Sequence, residues 1–405
     1  MTDRLYYTDP YLQAFDATIA RVDRRDDCLL VTLDRTAFYP TSGGQPFDTG
    51  TLGPFHLVDV IDEDDGSITH VLESNSERKT ENVELGRIVH GEIDWLRRFD
   101  HMQQHTGQHL LSAAFDKLFG VRTVSFHLGG AVSTIDLARE MSSGEIAAAE
   151  AEANRIVWED RAVAIRFATE EEASRLPLRK EPARGGILRL IEVEGFDLSA
   201  CGGTHVARTG GIGVIAVASW ERFKGGQRLE FVCGGRALGA YGRLRDAMTA
   251  SVRLLSVLPE ELPVAIERMQ GDAKDQKRAI VALRSELARY QAAEMAENAE
   301  EITLKAGGSA CRVVARAVDA DANGLKSLAS AIAAKSGYLV ALVSQSTPAL
   351  VVIARSADVG VSAPQLLAEL IAQFGGRGGG RSEIAQGGGL AASAEAIFAA
   401  VRAAI

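Results

Sequence analysis

Cysteine is scarce in this chain. Four residues in 405, Cys28, Cys201, Cys233 and Cys311, lie too far apart to form the dense, even framework of a small secreted domain. Reduced thiols, or one thiol serving a metal, are expected instead. No uninterrupted apolar run is long enough to span a bilayer, although 46% of the residues are hydrophobic. The opening MTDRLYYTDP lacks the charged-then-apolar pattern of a secretory signal. A cytoplasmic protein with no membrane association is therefore the expectation. An excess of positive charge is also missing: 44 Lys and Arg face 54 Asp and Glu, for a net charge of -10. That excludes a generic nucleic-acid coat but leaves room for a local basic face.

What is present reads as about three folding units. Up to about Arg87, short β-type runs such as CLLVTL (28–33) and FHLVDVI (55–61) alternate with Gly, Pro and Asp clusters, as in a small all-β barrel or sandwich. From Trp95 the period becomes helical through Met102, His105, His109, Leu110, Ala113 and Leu118, and Gly120 stops it. VSTIDL (132–137) and GVIAVASW (213–220) read as strands, with a helix over 144–160 between them, making an α+β unit. Leu262, Ile266, Met269, Ala273, Gln276, Ile280, Leu283, Leu287 and Tyr290 recur in alternating steps of four and three, the register of a coiled-coil seam. The register fits a dimer contact or a long helix packed on the next helix of its own chain. CRVVARAV (311–318), YLVALVS (338–344) and ALVVIA (349–354) then alternate as in βαβ units, and FGGRGGGRSEIAQGGG (374–389) reads as a loop before a last helix.

DHMQQHTGQH (100–109) places His101, His105 and His109 at a constant spacing of four. Residues four apart on a helix share a face about 6 Å apart along the axis, whereas His101 and His109 are separated by about 12 Å, too far for one zinc. Geometry leaves His101 with His105, or His105 with His109. CGGTH (201–205) offers a second pair, because Gly202 and Gly203 permit a sharp turn that folds Cys201 and His205 toward one point. Two helical histidines with this pair make a Cys-His₃ set suited to zinc, with a net charge of about +1. Such a centre can orient a carbonyl, an amine or a water.

At these residues the chain resembles the editing domain of alanyl-tRNA synthetase and its stand-alone relatives, the alanyl-tRNA editing proteins. QHTGQHLL (104–111) carries the family's HxxxH and FDLSACGGTHVARTGGIG (196–213) its CxxxH. The resemblance implies one zinc per chain, held by His105, His109, Cys201 and His205. LDRTAFYPTSGGQPFDTG (33–50) resembles the glycine-rich segment of the family's N-terminal barrel, and GGRGGGRSEIAQGGG (375–389) the tRNA-binding C-terminal domain shared with DHH phosphoesterases. The expected organisation is an α+β multidomain chain. It has an N-terminal β-barrel (1–90), a zinc-containing α+β editing domain (91–245), a helical coiled-coil spacer (246–304) and a C-terminal α/β tRNA-binding domain (305–405). The synthetase's ATP-binding core would precede the barrel, which here begins almost at residue 1, so hydrolysis without aminoacylation is expected.

The implied reaction is trans-editing: hydrolysis of the ester joining serine, with glycine as a further substrate, to the 3′ adenosine of tRNA(Ala). A synthetase pocket for alanine discriminates a hydroxyl or a methyl by only a few kcal/mol, whereas a second site that hydrogen-bonds the serine hydroxyl can reject alanine. Within VRTVSFHLG (121–129), Thr123 and Ser125 are candidates for serine recognition, and His127 for polarising water or touching the adenosine. In SGGQ (42–45), Gln45 is a candidate contact to the acceptor end. Arg222, Lys224 and Arg228 are candidates for the acceptor stem, and Arg377 and Arg381 for phosphates or the tRNA elbow. The spacer or the C-terminal domain is a candidate homodimer contact. Two competing readings are a non-catalytic tRNA-binding protein with a structural zinc, and another zinc hydrolase with a DHH-type tail. The absence of a DHH motif disfavours the last.

Overall fold

The computed structural model describes residues 1–25, 28–73, 84–179, 186–305 and 309–405. The chain divides into two compact units, Met1–Ser251 and Val252–Ile405. The helix Gly234–Leu255 runs through the junction, so the boundary expected at 245 falls within a continuous helix.

In the first unit, six strands close into a barrel in the order Ala14–Arg25, Cys28–Leu33, Ile68–Glu73, Phe55–Asp62, Gly50–Leu52 and Ile88–Ile93. Alternation drives the closure: Phe15, Ala17 and Ile19 of the first strand, and Leu29, Val31 and Leu33 of the second, point into one core with Phe38, Phe55 and Leu72. His70 sits fully buried in this barrel, bonded to Thr36 Oγ1 at 2.8 Å and to the Val31 carbonyl at 2.9 Å. Burial pushes its imidazole down to about 4, against which the Val31 bond acts only weakly. The neutral ring therefore stabilises the fold above pH 6.5, and that contribution is lost as pH falls from 6.5 toward 4. Urea unfolding is expected to show a loss of about 3 kcal/mol from His70 across this window, which His70→Gln removes while the similar contribution of buried His101, also pushed down to about 4, remains.

The helix Trp95–Phe119 follows the barrel. Asp94 caps its start by accepting from Arg97 N, and Gly120, at φ 64°, ends it in the left-handed region. The helix is buried along most of its length, against the antiparallel sheet Ile215–Phe223, Gly226–Cys233, Ser133–Leu137, Thr123–Leu128 and against the helix Ser143–Trp158. Gly107, mid-helix, is required by this packing: a Cβ there would lie 2.3 Å from Cys233 Sγ. A second sheet, Val163–Ala168, Leu188–Val193 and Asp197–Ala200, carries the chain into the CGGTH turn. Barrel and helix are joined by Arg98, which is fully buried. Its guanidinium pairs with Asp48 and donates to the carbonyls of Pro10 and Ala37.

In the second unit a six-stranded sheet runs in the order Glu300–Thr303, Ala310–Val318, Tyr338–Ser344, Ala349–Arg355, Ile384–Leu390 and Arg377–Arg381. Only the Ala310–Val318 and Tyr338–Ser344 pair is parallel, joined by the crossover helix Ala322–Ala333. The helix Leu262–Glu297 packs on that crossover through Ala288, Ala292 and Ala296. Met269, Ile280, Leu283, Leu287 and Tyr290 of its predicted seam are exposed. The glycine-rich tail corrects the sequence expectation of a loop, because it forms an antiparallel hairpin. A Cβ at Gly378 would lie 2.4 Å from the Gln386 carbonyl and one at Gly380 2.2 Å from that of Ile384, so glycine here serves close backbone approach. Among the described residues no helix is long and apolar enough to cross a membrane.

Candidate metal centre

The helix Trp95–Phe119 presents His105 and His109 on one face, and the turn after strand Asp197–Ala200 presents Cys201 and His205 to it. One donor atom from each of the four lies within 4.8 Å of every other. His105 Nε2 and His205 Nε2 each stand 3.3 Å from Cys201 Sγ. His101 is not part of this group; it is buried one turn upstream, with Nδ1 unpartnered among the described residues. Replacing His101 by alanine is expected to leave zinc stoichiometry unchanged, as measured by atomic absorption. Loss of zinc would place the ligand register one turn too far along.

The chemistry of the donor set fits zinc, and its surroundings fix the tautomers. His105 Nδ1 donates to Gln45 Oε1 at 2.8 Å and His109 Nδ1 to Asp197 at 3.0 Å. Thr106 spends its hydroxyl proton on the Met102 carbonyl, so its oxygen accepts from His205 Nδ1 at 3.2 Å. All three Nδ1 atoms thus carry the proton, and all three Nε2 lone pairs remain for a metal. Burial alone would push the Cys201 thiol up, but His105 and His205 beside it hold it well below its usual range, as a thiolate ligand requires. Burial likewise acts to raise the Asp197 carboxyl, and hydrogen bonds from His109 and Arg179 hold it low.

The turn itself is held from behind. Arg189 Nη1 donates to the carbonyls of Cys201 at 2.7 Å and Gly203 at 2.9 Å, and its Nε to the Tyr7 carbonyl at 3.0 Å. Gln45 accepts from Thr204 N at 3.1 Å and donates to Thr204 Oγ1 at 2.8 Å. Gln45 is fully buried and so cannot make its expected contact with the acceptor end; it orients the His105 imidazole instead.

A cavity of about 460 Å³ opens beside the cluster, walled by His109 and Cys201 together with Gln108, Ser112 and Thr123. Thr123 Oγ1 donates to Ser112 Oγ at 2.8 Å, and Gln108 Nε2 donates to the same oxygen at 2.8 Å. Strand pairing shifts between Asp136 and Leu137, so that Thr123 faces the helix. Ser125 lines the cavity, but its hydroxyl donates to Asp136 at 2.5 Å. His127 is exposed and lies outside the cavity wall. Gln108, Ser112 and Asp116 were not singled out from the sequence, yet His105, His109, Ser112 and Asp116 fall in helical steps of four, three and four. The continuation of the histidine face by polar residues through Ser112 and Asp116 was the available signal.

The basic residues divide. Arg228, a candidate for the acceptor stem, is engaged by Asp136 through two bonds of 2.7 and 2.9 Å and stacks on Phe223. Arg222 is exposed and pairs with Glu140, and Lys224 is exposed at the hairpin tip. Arg377 and Arg381 are exposed at the two ends of the glycine hairpin.

Comparison with known proteins follows the same lines. The model of the threonyl and alanyl tRNA synthetase second additional domain matches residues 188–230, and that of the DHHA1 domain residues 310–405. The alanyl-tRNA editing protein AlaX-L of Pyrococcus horikoshii is 32% identical over 403 residues, covering 96% of this chain and 94% of that protein. This chain belongs to the alanyl-tRNA editing family. It is also 33% identical to the alanine–tRNA ligase of Pyrococcus furiosus, and 35% to that of Natronomonas pharaonis. The chain spans 42% of the length of these ligases. The C-Ala domain of Aquifex aeolicus alanyl-tRNA synthetase, at 23% identity, covers 25% of this chain and 96% of its own, with a TM-score of 0.23, too low to transfer its fold. His105, His109, Cys201 and His205 converge beside the cavity, and the last two lie within the stretch matched by the second additional domain.

Proposed function

We propose that the chain is a trans-editing hydrolase that cleaves the ester joining serine, with glycine as a further substrate, to the 3′ adenosine of tRNA(Ala). The observation that carries this reading is the cavity in which two candidate zinc ligands and a hydroxyl network share one wall. A zinc ion held by His105, His109, Cys201 and His205 would supply Lewis acidity toward an ester carbonyl, an amine or a water. Ser112 accepts from both Gln108 and Thr123, which leaves the lone pairs of Thr123 Oγ1 for a further donor. The serine side chain has such a donor and alanine does not. Glycine has none either, so serine comes first.

Thr123→Val is expected to lower kcat/KM for Ser-tRNA(Ala) by about 10- to 100-fold while leaving zinc bound, bringing serine and alanine substrates closer together. Arg222, Lys224, Arg377 and Arg381 are proposed phosphate contacts, consistent with a cytoplasmic tRNA substrate. The exposed seam of Leu262–Glu297 is the proposed contact with a second copy. The division into barrel, editing domain, spacer and C-terminal domain stands as the proposed division of labour.

The test is incubation with Ser-tRNA(Ala), Ala-tRNA(Ala) and Ser-tRNA(Ser). Serine released from the first alone supports editing with tRNA selection. A non-catalytic tRNA-binding protein is the second reading, favoured by four protein donors that close a tetrahedral site. It predicts tRNA binding with no release from any of the three.

A further inference from the structure

We infer that Arg122 binds the phosphate on the 5′ side of the terminal adenosine, so that the cavity holds a whole aminoacyl-nucleotide and not the amino acid alone. The inference rests on the hydrolase reading for its substrate class. Its own basis is the end of the cavity away from the metal ligands. His109, Ser112 and Asp116 follow one helix face, and Asp116 lies about 10 Å along the axis from His109. There the wall is formed by Asp116 and Arg122, whereas Arg179 lines the cavity beside the metal ligands, on the Asp197 carboxylate that holds His109.

These three groups are not equivalent. Arg179 is ion-paired, donating from Nε and Nη2 to Asp197 at 2.6 and 3.1 Å. The Arg122 guanidinium and the Asp116 carboxylate have no hydrogen-bond or ion-pair partner among the described residues. Their backbone is nonetheless held: Gly120 N donates to Asp116 O, Val121 N to Phe115 O, and Ala138 N to Arg122 O at 3.0 Å. Val121, beside Arg122, is buried. A rigid corner thus carries one unpaired cation and one unpaired anion into the cavity that ends at Cys201 and His109.

The pairing selects a ligand chemistry. A free inorganic anion would satisfy Arg122 but be opposed by the carboxylate of Asp116. A ribose phosphate satisfies both, since its phosphodiester accepts from the guanidinium and its free hydroxyl donates to the carboxylate. The aminoacyl ester lies on the same ribose, so anchoring the phosphate would fix how far the scissile carbonyl reaches toward the metal ligands. Arg122 is accordingly a binding residue, and its loss should act on KM more than on kcat.

The test compares two non-hydrolysable probes, 3′-seryl-amido-3′-deoxyadenosine with and without a 5′-phosphate, binding to the zinc-loaded full chain by calorimetry. The wild-type protein is expected to prefer the phosphorylated probe by about 5- to 10-fold at low salt. Arg122→Gln should abolish the preference, and Arg122→Lys should retain part of it, both with unchanged zinc content. No preference in the wild type, or one that survives in Arg122→Gln, overturns the inference. Absence of serine release from Ser-tRNA(Ala) by the wild type would overturn the hydrolase reading instead, and the probe comparison reads Arg122 independently of that outcome.

Discussion

Gly203→Ala is expected to abolish zinc binding and, with it, serine release. A Cβ at this position would lie 2.1 Å from His105 Cε1, 2.3 Å from His105 Nδ1 and 3.0 Å from Gln45 Oε1. Neither side can give way cheaply. The imidazole is fixed by its 2.8 Å bond to Gln45, and the turn is fixed by Arg189 on the Gly203 carbonyl and by Gln45 on Thr204. Any displacement that clears the methyl group breaks the Nδ1 bond that orients His105, or moves Cys201 and His205 away from it. Loss of such outer partners alone costs about 10- to 100-fold in metal affinity, and here a ligand is displaced as well. Zinc per chain after dialysis against a chelator, and the visible spectrum of the cobalt-substituted protein, check the result. Full zinc occupancy and wild-type serine release in Gly203→Ala would show that the turn has freedom the structure denies it.

Arg98→Met is expected to destabilise the first unit by about 3–5 kcal/mol, the cost of breaking a buried ion pair from one side. Among the described residues, Asp48 would remain charged in the interior with only the Tyr39 amide, at 2.6 Å, to bond it, and the carbonyls of Pro10 and Ala37 would lose the Arg98 donor. Asp48 lies three residues from Gln45 on the segment that orients His105. The substitution should therefore weaken metal binding as well as stability. Urea unfolding of Met1–Ser251 within the full chain checks the first effect and zinc titration the second. A double variant, Arg98→Met with Asp48→Leu, removes both charges and should recover part of the loss. An unfolding midpoint unchanged in Arg98→Met would mean that the barrel does not depend on this anchor.

The helix Trp95–Phe119 is legible in the sequence because its signals are local: an aspartate cap, a helical apolar period and a left-handed glycine stop. The barrel strands are legible because alternation writes the inward face directly into CLLVTL and FHLVDVI. The groups that orient the candidate metal ligands are not local. Gln45, Asp197 and Thr106 lie 60, 88 and 99 residues from the histidines they bond, and no spacing rule joins them. Arg228 reads as a free cation until Asp136, 92 residues earlier, is folded against it. The glycine hairpin Arg377–Leu390 is misread for another reason. Composition equates clustered glycine with irregular chain, whereas Gly378 and Gly380 are there so that two backbones can approach closely.

Serine release from Ser-tRNA(Ala) by one preparation, before and after removal of metal and again after one equivalent of zinc, tests the central claim most directly. The account predicts release by the zinc-loaded chain, its loss on stripping, and its return with zinc, while Ala-tRNA(Ala) stays intact throughout. A fully zinc-loaded chain that binds Ser-tRNA(Ala) and releases no serine would contradict it.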